Sequence, residues 1–248
     1  MSAATTTAAP RIAAVTGGSA GIGLSICQHL LEQGYEVISL ARRPCELQHP
    51  RLHTVVVDLA DRAATAAAAG AVAARFAVTT FVHNAGVIKP ALLPDAKLED
   101  YDTLAQLHIA SAVQLTQAFL PAMKAAHFGR IVMMSSRAAL GLATRTAYSA
   151  TKAGMMGMAR TWALELGPDG ITVNVVAPGP IRTDMFYDIV GKDAEKERQL
   201  AAGIPVKRLG ESADVARAVT FFADPANSFV TGQVLYVCGG TSVGSLVL

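Results

Sequence analysis

Short apolar runs and longer amphipathic stretches alternate along most of the chain. Seven apolar runs have the length and β-branched content of buried strands. They cover residues 11–16, 37–40, 53–57, 79–83, 130–134, 171–176 and 233–237. Helical spacing of apolar residues predicts helices over 21–33, 61–75, 98–127, 147–166 and 212–223. Strands that alternate with helices indicate βαβ units and a parallel sheet covered on both faces.

Two segments depart from this regular pattern. Pro121 lies inside the 98–127 stretch and predicts a break between two helical segments. The charged segment 184–205 lacks a clear period and, with the residues up to 207, predicts a lid or substrate loop. Its acidic and basic residues are interspersed, so a solvated amphipathic helix is the favoured interpretation of its charges. We expect one domain over 11–248 after a flexible Ala/Thr-rich tail at residues 1–10.

The composition excludes several classes of protein. The 248 residues are 52% hydrophobic, which excludes a disordered chain. With 21 basic and 19 acidic residues and no basic run, charge gives no support for nucleic-acid binding. Only 16% of residues are charged, and segments 12–31 and 225–248 carry no charge. Their glycines, amides and proline favour a soluble core, so we expect no membrane partner.

The cysteines and the N-terminus bear on location. The three cysteines, Cys27, Cys45 and Cys238, are odd in number and lack the spacing of metal ligands, so no metal site is predicted. The first ten residues lack a basic n-region and a long apolar core, and are therefore not expected to be a signal peptide. These features favour a reducing, cytoplasmic location.

A glycine-rich turn follows the first strand. The sequence Thr-Gly-Gly-Ser-Ala-Gly-Ile-Gly occupies residues 16–23 and leads directly into the first helix. Glycines at 17, 21 and 23 allow a phosphate group to approach backbone N–H groups at a helix N-terminus, where a Cβ would intrude. The last glycine also permits close packing of helix on sheet. This turn predicts a dinucleotide site, although an ordinary glycine-rich turn is the alternative.

The end of the second strand indicates which dinucleotide binds. An acidic residue there would bind the ribose hydroxyls, whereas arginine accommodates a 2′-phosphate. The strand is followed by Arg42 and Arg43, with no carboxylate, so we predict NADP(H) over NAD(H). Solvated loop charges are the alternative. Asp58, after the third strand, is a candidate acceptor for the adenine amino group or, equally, a turn aspartate.

Three residues form a candidate catalytic set. Tyr148 and Lys152 are one helical turn apart and share a face. A nearby ammonium is expected to lower the pKa of tyrosine from about 10 toward the range of a general acid/base. Ser136 ends the preceding strand, where side chains meet the ligand crevice, and can hold a substrate oxygen beside Tyr148. Taken alone, a Tyr-x3-Lys pair is more often an ordinary surface pair.

The combination of motifs resembles the classical short-chain dehydrogenases/reductases. It comprises TGGSAGIG at 16–23, HNAG at 83–86, the Ser136, Tyr148 and Lys152 set, and PGPIRT at 178–183. The resemblance extends over the chain from Arg11 onward. It implies a three-layer, Rossmann-like, doubly wound sheet of about seven parallel strands with helices on both faces. It also implies a homotetramer or homodimer, with segments 104–123, 147–166 and 225–248 in the interfaces.

The same resemblance implies roles for individual residues. Tyr148 would exchange the proton, Lys152 would bind the nicotinamide ribose and tune the tyrosine, and Ser136 would orient the carbonyl. The residues implied in cofactor binding, together with those already predicted to bind it, are Gly17, Ser19, Gly21, Ile22, Gly23, Arg42, Arg43, Asp58, Leu59, Asn84, Ala85, Gly86, Tyr148, Lys152, Pro178, Gly179, Ile181 and Thr183.

The chain departs from the family pattern at His108. This residue stands where relatives usually carry an asparagine that helps hold a water linked to the lysine. A histidine has a donor, an acceptor and a pKa near neutrality, so it is a fourth catalytic candidate that would make turnover sensitive to pH. A packed core histidine with a weaker relay is the alternative. His83, where asparagine is commoner, receives no function.

The sequence gives limited information about the substrate. By analogy, Leu140, Leu142, Ala143, Phe186 and Tyr187 would give a mainly apolar pocket. We expect a small-molecule carbonyl or alcohol substrate and an NADP-dependent reaction at a ketone or secondary alcohol. Reduction of a 3-oxoacyl group on a carrier protein is a second possibility. A redox sensor or scaffold that binds NADP(H) without turnover is a third.

Overall fold

The computed structural model describes residues 11–243. The predicted tail at 1–10 and the last residues, 244–248, lie outside this range. All seven predicted strands are present, each within two residues of its predicted bounds. They are β1 (Ile12–Thr16), β2 (Glu36–Ala41), β3 (Leu52–Val56), β4 (Thr80–His83), β5 (Gly129–Met134), β6 (Ile171–Pro178) and β7 (Val234–Val237).

One parallel sheet contains these strands in the order β3-β2-β1-β4-β5-β6-β7. Every neighbouring pair is parallel. The predicted doubly wound sheet of seven parallel strands is therefore confirmed. The order reverses direction between β1 and β4, and a crevice at the carboxyl ends of strands at such a point is the usual ligand site.

Eight α-helices connect and cover the strands within residues 11–243. They are α1 (Gly21–Glu32), α2 (Arg62–Arg75), α3 (Leu98–Ala105), α4 (Ser111–Ala125), α5 (Thr146–Leu166), α6 (Asp184–Val190), α7 (Ala194–Gly203) and α8 (Ser212–Ala223). One apolar cluster joins α2, α4 and α5 to one face of the sheet. A second joins α1 and α8 to the other face. The eight residues of β6 are all buried, as expected for a strand covered on both sides.

The predicted break near Pro121 is wrong. Pro121 lies inside α4, whose buried anchors Leu115, Phe119 and Met123 hold the helix against the sheet on both sides of the proline. The irregular turn lies earlier, where a π-helical segment, Gln106–Ala110, joins α3 to α4. Packing of the apolar face thus outweighs the hydrogen bond that proline removes.

The expected irregularity of segment 184–205 is also wrong, because α6 and α7 occupy most of it. Thr183 caps α6 by accepting a hydrogen bond from Phe186 N at 3.3 Å. Asp193 caps α7 through bonds from Glu195 N at 2.9 Å and Lys196 N at 3.2 Å. Both helices are largely exposed, in agreement with a solvated amphipathic helix. None of the helices within residues 11–243 is both long and apolar enough to cross a membrane.

Candidate active site

The glycine-rich turn lies between the end of β1 and the start of α1, as predicted. A Cβ on Gly23 would lie 2.1 Å from the carbonyl oxygen of Gly17, so no larger residue fits where α1 crosses the turn. Gly21 has a φ of +53°, and a Cβ there would point toward Thr183, 3.4 Å from its methyl group. A side chain at 21 would therefore fill the space between the turn and the loop after β6.

The N-terminus of α1 can receive an anion. Ala20 provides no side-chain cap, and the first turn carries no acidic residue. The first N–H groups of the helix are consequently free of side-chain acceptors, and they carry the positive end of the helix dipole. Ser19 and Ile22 of the predicted set flank this position and are partly exposed. A helix N-terminus of this kind can hold a phosphate group.

Asn84 and Ala85 hold the glycine turn against β4. Thr16 Oγ1 accepts hydrogen bonds from the backbone N–H groups of Asn84 and Ala85, both at 2.9 Å. Asn84 Nδ2 donates to the carbonyl oxygens of Thr16 at 3.0 Å and Gly17 at 3.4 Å. The role of Asn84 seen in the structure is therefore to fix the turn. The sequence analysis included Thr16 only as the first residue of the glycine-rich turn and predicted no role for its hydroxyl group.

The residues predicted for the adenosine end take different positions. Arg42 and Arg43 follow β2, are exposed, and form no ion pair within residues 11–243. Asp58 is exposed, and its Oδ1 accepts a hydrogen bond from Ala60 N at 2.9 Å, which is a turn contact. Leu59 is 3% exposed and packs in the core, so only its backbone can face a ligand.

Two adjacent serines at the end of β5 have separate contacts. Ser135 is buried, and its hydroxyl donates to the carbonyl oxygen of Lys152 at 2.7 Å, which fixes α5 to the strand. Ser136 Oγ accepts a hydrogen bond from Ala138 N at 3.1 Å, and its own proton has no acceptor within the described residues. Ser136 therefore remains the candidate of the two serines for a hydrogen bond to a substrate oxygen.

Tyr148 and Lys152 lie together on the buried face of α5. Lys152 Nζ lies 5.7 Å from the centre of the Tyr148 ring and donates to the carbonyl oxygen of Met134 at 2.6 Å. Burial lowers the pKa of Lys152 to about 7. Burial also raises the pKa of Tyr148, while Ser136 and Arg145 act in the opposite direction. The predicted lowering of the tyrosine pKa by Lys152 is not found, because burial of Tyr148 is the largest influence and raises its pKa.

His108 is buried within the π-helical segment, and its hydrogen bonds define its tautomer. The Thr151 hydroxyl donates to the carbonyl oxygens of Ala147 at 3.0 Å and Tyr148 at 3.1 Å. The Thr151 oxygen must therefore accept the 2.9 Å hydrogen bond from His108 Nδ1, which carries the proton. The Nε2 atom is left as a buried acceptor with no partner within the described residues.

His108 Nε2 and Lys152 Nζ face the same glycine. A Cβ on Gly86 would lie 3.0 Å from the imidazole nitrogen and 3.3 Å from the ammonium nitrogen. Burial, with a contribution from Lys152, moves the pKa of His108 well below its usual value. The near-neutral titration expected from the sequence is therefore wrong. The side chain is therefore a neutral acceptor at neutral pH.

A second histidine, His83, joins the glycine turn to this region. Thr16 Oγ1 already accepts two N–H groups, so its proton is donated to His83 Nδ1 at 3.2 Å. His83 consequently carries its proton on Nε2. Burial lowers its pKa to about 3, and the positive charge of Lys152 adds to the effect. The two imidazoles are thus neutral and carry their protons on opposite nitrogens.

The loop after β6 borders the turn from the other side. Gly179 N donates to Val237 O at 2.9 Å, and buried Ile181 bridges to Gly210. Pro178 ends the strand, and Thr183 is the N-cap of α6. This places the predicted residues 178–183 between the sheet edge and the helices α6 and α7.

An ion-pair network connects that loop to α7. Arg182 Nε donates to Glu197 at 2.6 Å, and another guanidinium nitrogen pairs with Glu211. Tyr187 donates to the second oxygen of Glu197 at 3.3 Å. Leu140 and Leu142, predicted to line the pocket, are 58% and 48% exposed. These leucines leave apolar surface available to a substrate.

Within residues 11–243, no group of three or more histidine, cysteine, aspartate or glutamate side chains is arranged to hold a metal ion. The polar side chains that the region holds are those of serine, tyrosine, lysine, histidine and arginine. Arg145 belongs to this set, although its place between two threonines gave no sign of burial in the sequence. It is 8% exposed and acts electrostatically on Tyr148.

Comparisons with known proteins agree with this geometry. A family model described as enoyl-(acyl carrier protein) reductase matches residues 17–242. The (2S)-[(R)-hydroxy(phenyl)methyl]succinyl-CoA dehydrogenase subunit BbsD of Thauera aromatica is 37% identical over 243 residues, covering 94% of this chain and 97% of the relative. The 3-oxoacyl-[acyl-carrier-protein] reductase FabG of Salmonella typhimurium is 32% identical, covering 93% and 96%.

A solved structure is similar over almost the whole chain. It comes from Beutenbergia cavernae and is described as a NAD(P)-dependent gluconate 5-dehydrogenase with NADP bound at low occupancy. It is 32% identical, with a TM-score of 0.86 and coverage of 96% of this chain and 98% of that one. Sequence and fold comparisons therefore point to the same group of proteins.

Proposed function

Since the chain belongs to the short-chain dehydrogenase/reductase family, we propose that it is an NADP(H)-dependent oxidoreductase acting on a ketone or secondary alcohol. The observation that carries the proposal is the placement of Ser136, Tyr148 and Lys152 at the carboxyl end of β5 and on the adjoining face of α5. The Ser136 proton has no acceptor of its own, and Tyr148 is buried beside it.

The space around the glycine turn fits a dinucleotide. The uncapped N-terminus of α1 and the space that a Gly21 side chain would fill suit a diphosphate. Asn84 and Gly86 would border the nicotinamide half, with Pro178, Ile181 and Thr183 on its other side. When bound, the nicotinamide cofactor supplies or accepts the hydride.

The preference for NADP(H) is supported by two arginines and one relative. Arg42 and Arg43 are free of carboxylate partners within the described residues, and guanidinium groups match a 2′-phosphate. The 32% identical structure from Beutenbergia cavernae contains NADP. We expect Arg42→Asp to lower the NADP/NAD ratio of kcat/KM by at least ~10-fold. An unchanged ratio would remove the assignment.

The catalytic residues perform proton transfer and orientation. In the reductive direction the Tyr148 hydroxyl donates its proton to the carbonyl oxygen, while Ser136 donates a hydrogen bond to the same oxygen. The raised pKa of Tyr148 keeps the phenol protonated, which suits a general acid. Ser136 and Arg145, which act to lower the Tyr148 pKa, stabilise the phenolate that remains. Lys152, held by the Met134 carbonyl group, would bind the nicotinamide ribose.

His108 has a defined part in this proposal. Its unprotonated Nε2 has no partner within the described residues and lies with Lys152 Nζ beside Gly86. A water bound there would donate a hydrogen bond to Nε2 and connect the imidazole to the lysine. Kinetics of His108→Asn across pH test the role. Profiles that match wild type would leave the imidazole with a packing role alone.

The relatives favour one other substrate class. FabG acts on 3-oxoacyl groups attached to a carrier protein, and BbsD is named for a coenzyme A thioester. Both are matched over more than nine-tenths of this chain, so reduction of a 3-oxoacyl thioester is the second candidate function.

A single assay separates the candidates. Oxidation of NADPH and NADH is followed at ~340 nm with a panel of ketones and 3-oxoacyl thioesters. Turnover of simple ketones supports the first candidate, and selective turnover of thioesters supports the second. Tight NADPH binding without turnover on any carbonyl would overturn both and favour a redox sensor.

We further propose that the protein is a homotetramer located in the cytoplasm. Apolar side chains are exposed on the segments expected in the interfaces, including Leu164 on α5 at 82% and Phe229 before β7 at 102%. Such surface is normally covered by association. The free thiols of Cys27, Cys45 and Cys238 suit a reducing compartment. Sedimentation as a stable monomer would contradict the tetramer.

A further inference from the structure

Arg145 is a buried cation without an acidic partner in the described part of the chain. Its Nη1 donates to the backbone oxygen of Thr144 at 3.4 Å and to the hydroxyl group of the same residue, both of them neutral. No carboxylate within residues 11–243 forms an ion pair with it. Buried guanidinium groups are normally paired, because an isolated buried charge is costly.

Two nitrogens of this guanidinium remain available. Neither Nε nor Nη2 of Arg145 makes a hydrogen bond within the described residues. Neither nitrogen is fully buried. Both therefore touch solvent. They are adjacent donors of one planar fork, the arrangement that binds the two oxygens of a carboxylate.

The position of Arg145 brings this fork to the reacting group. Arg145 is the N-cap residue of α5 and comes three residues before Tyr148. Its positive charge acts, after the Ser136 hydroxyl, to lower the Tyr148 pKa against the effect of burial. Arg145 thus lies at the start of the helix that carries the proposed acid.

The backbone at this point is strained. Thr144 has a φ of +67°, which is rare for a β-branched residue, and such strain persists mainly where surrounding contacts enforce it. The Thr144 carbonyl accepts a hydrogen bond from Ala91 N at 3.0 Å, and Ala91 bridges to Arg145. The strained turn therefore fixes the direction in which the arginine leaves the backbone.

We propose that Arg145 is a substrate-binding residue and that the substrate is an oxo acid, whose carboxylate pairs with the Arg145 fork while its carbonyl oxygen meets Tyr148. The inference rests on the proposed reductase function and narrows its substrate class. A carboxylate compensates the buried charge, whereas a neutral ketone leaves it unpaired. Sites built around such a polar group discriminate strongly against ligands that lack the partner.

The test compares each acid with its own ester. Wild type, Arg145→Met and Arg145→Lys are assayed with NADPH on 2-oxopentanoate, 3-oxopentanoate and 4-oxopentanoate and on their methyl esters. We expect wild type to prefer at least one acid. Arg145→Met should lower the acid/ester ratio of kcat/KM for that acid by roughly 10- to 100-fold, mainly through KM. Arg145→Lys keeps the charge without the fork and should give an intermediate ratio.

A nearby cation provides the matched control. Lys97 is exposed and lines the same shallow depression as Thr146 and Ala147 at the start of α5. Lys97→Met should leave the acid/ester ratio at its wild-type value, because we expect the Arg145 fork, and not the general positive field of nearby cations, to select the acid. Equal losses in the two Met variants, or an unchanged ratio in Arg145→Met, would overturn the assignment. If Arg145→Met does not fold, as judged by circular dichroism, Arg145→Lys carries the comparison.

Failure of the proposed function gives a different result. If wild type turns over neither acids nor esters, the reductase proposal fails, and binding of 4-oxopentanoate is measured by calorimetry in the presence of NADP. Binding that weakens roughly tenfold or more in Arg145→Met would still support the anion site. Equal binding by both proteins, or no binding by wild type, would overturn it.

Discussion

Protonation of His83 should control the acid stability of this fold. The side chain is fully buried between β1 and the π-helical segment, and its Nδ1 accepts the Thr16 proton. Burial lowers its pKa from 6.5 to about 3 in the folded chain. In the unfolded chain His83 is exposed and keeps the higher pKa. Between pH 6.5 and pH 3, the unfolded chain therefore binds a proton at His83 and the folded chain does not.

The sign and size of the effect follow from this difference. Because the folded pKa is depressed, the stabilisation is fully present above pH 6.5 and is lost as the pH falls toward 3. Protonation of His83 in the unfolded chain lowers the free energy of unfolding by about 2 kcal/mol at pH 5, against about 0.2 kcal/mol at pH 7. His108 contributes in the same direction, since its pKa is also lowered by burial.

The variant His83→Asn isolates this contribution. Asparagine keeps an acceptor for the Thr16 hydroxyl and cannot be protonated in this range. The free energy of unfolding is measured by urea titration with circular dichroism at pH 7 and pH 5, at one protein concentration. Any cavity left by the shorter side chain destabilises the variant at both pH values and cancels in the difference, as do the contributions of His108 and Lys152.

Between pH 7 and pH 5, the free energy of unfolding should fall by about 2 kcal/mol less in His83→Asn than in wild type. His29 is only partly buried and contacts the carbonyl oxygen of Ser25, so the variant His29→Asn is the control replacement of a histidine outside the fully buried region. The reasoning would be refuted if wild type and His83→Asn lost the same free energy between pH 7 and pH 5.

Three other changes have direct outcomes. Gly23→Ala places a Cβ 2.1 Å from Gly17 O, so NADPH affinity by fluorescence titration should fall at least ~10-fold; normal affinity would contradict the close approach. Tyr148→Phe should lower kcat by about 10²–10⁴-fold while NADPH affinity stays within about twofold, and a smaller loss of kcat would remove its role as the acid. Arg182→Met breaks the half-exposed pairs with Glu197 and Glu211, so cleavage of 184–203 by trypsin should accelerate while Tm falls little; unchanged cleavage would show that the network does not hold α7.

The fold was predictable because its strands are buried on both faces. Runs such as those of β5 and β6 are apolar almost throughout, and they remain recognisable without knowledge of what covers them. The π-helical segment Gln106–Ala110 was not predictable, because a change in hydrogen-bond register leaves no mark in side-chain polarity. Pro121 was misleading for the related reason that tertiary packing of α4 decides whether a helix tolerates a missing N–H.

In the candidate site, too, local features could be predicted from the sequence and long-range ones could not. The glycine turn and the Tyr148–Lys152 spacing are local patterns whose geometry follows from one helix start and one helical turn. The direction of the pKa shifts is not local. The sequence predicted a lowered pKa for Tyr148 and a near-neutral one for His108, and burial set by distant elements reverses the first and lowers the second.

The buried charges around Tyr148 share one property. Lys152 and Arg145 are cations that pair with no carboxylate within the described residues, and both histidines are neutral, with their protons placed by threonine hydroxyls. A region with buried positive charge and no negative charge of its own is completed by ligands that bring it. The diphosphate of a dinucleotide would meet this need at the glycine turn, and a carboxylate would meet it at Arg145. The low charge of the chain as a whole is therefore compatible with electrostatic selection of ligands, because cations without a carboxylate partner lie where the proposed ligands would bind.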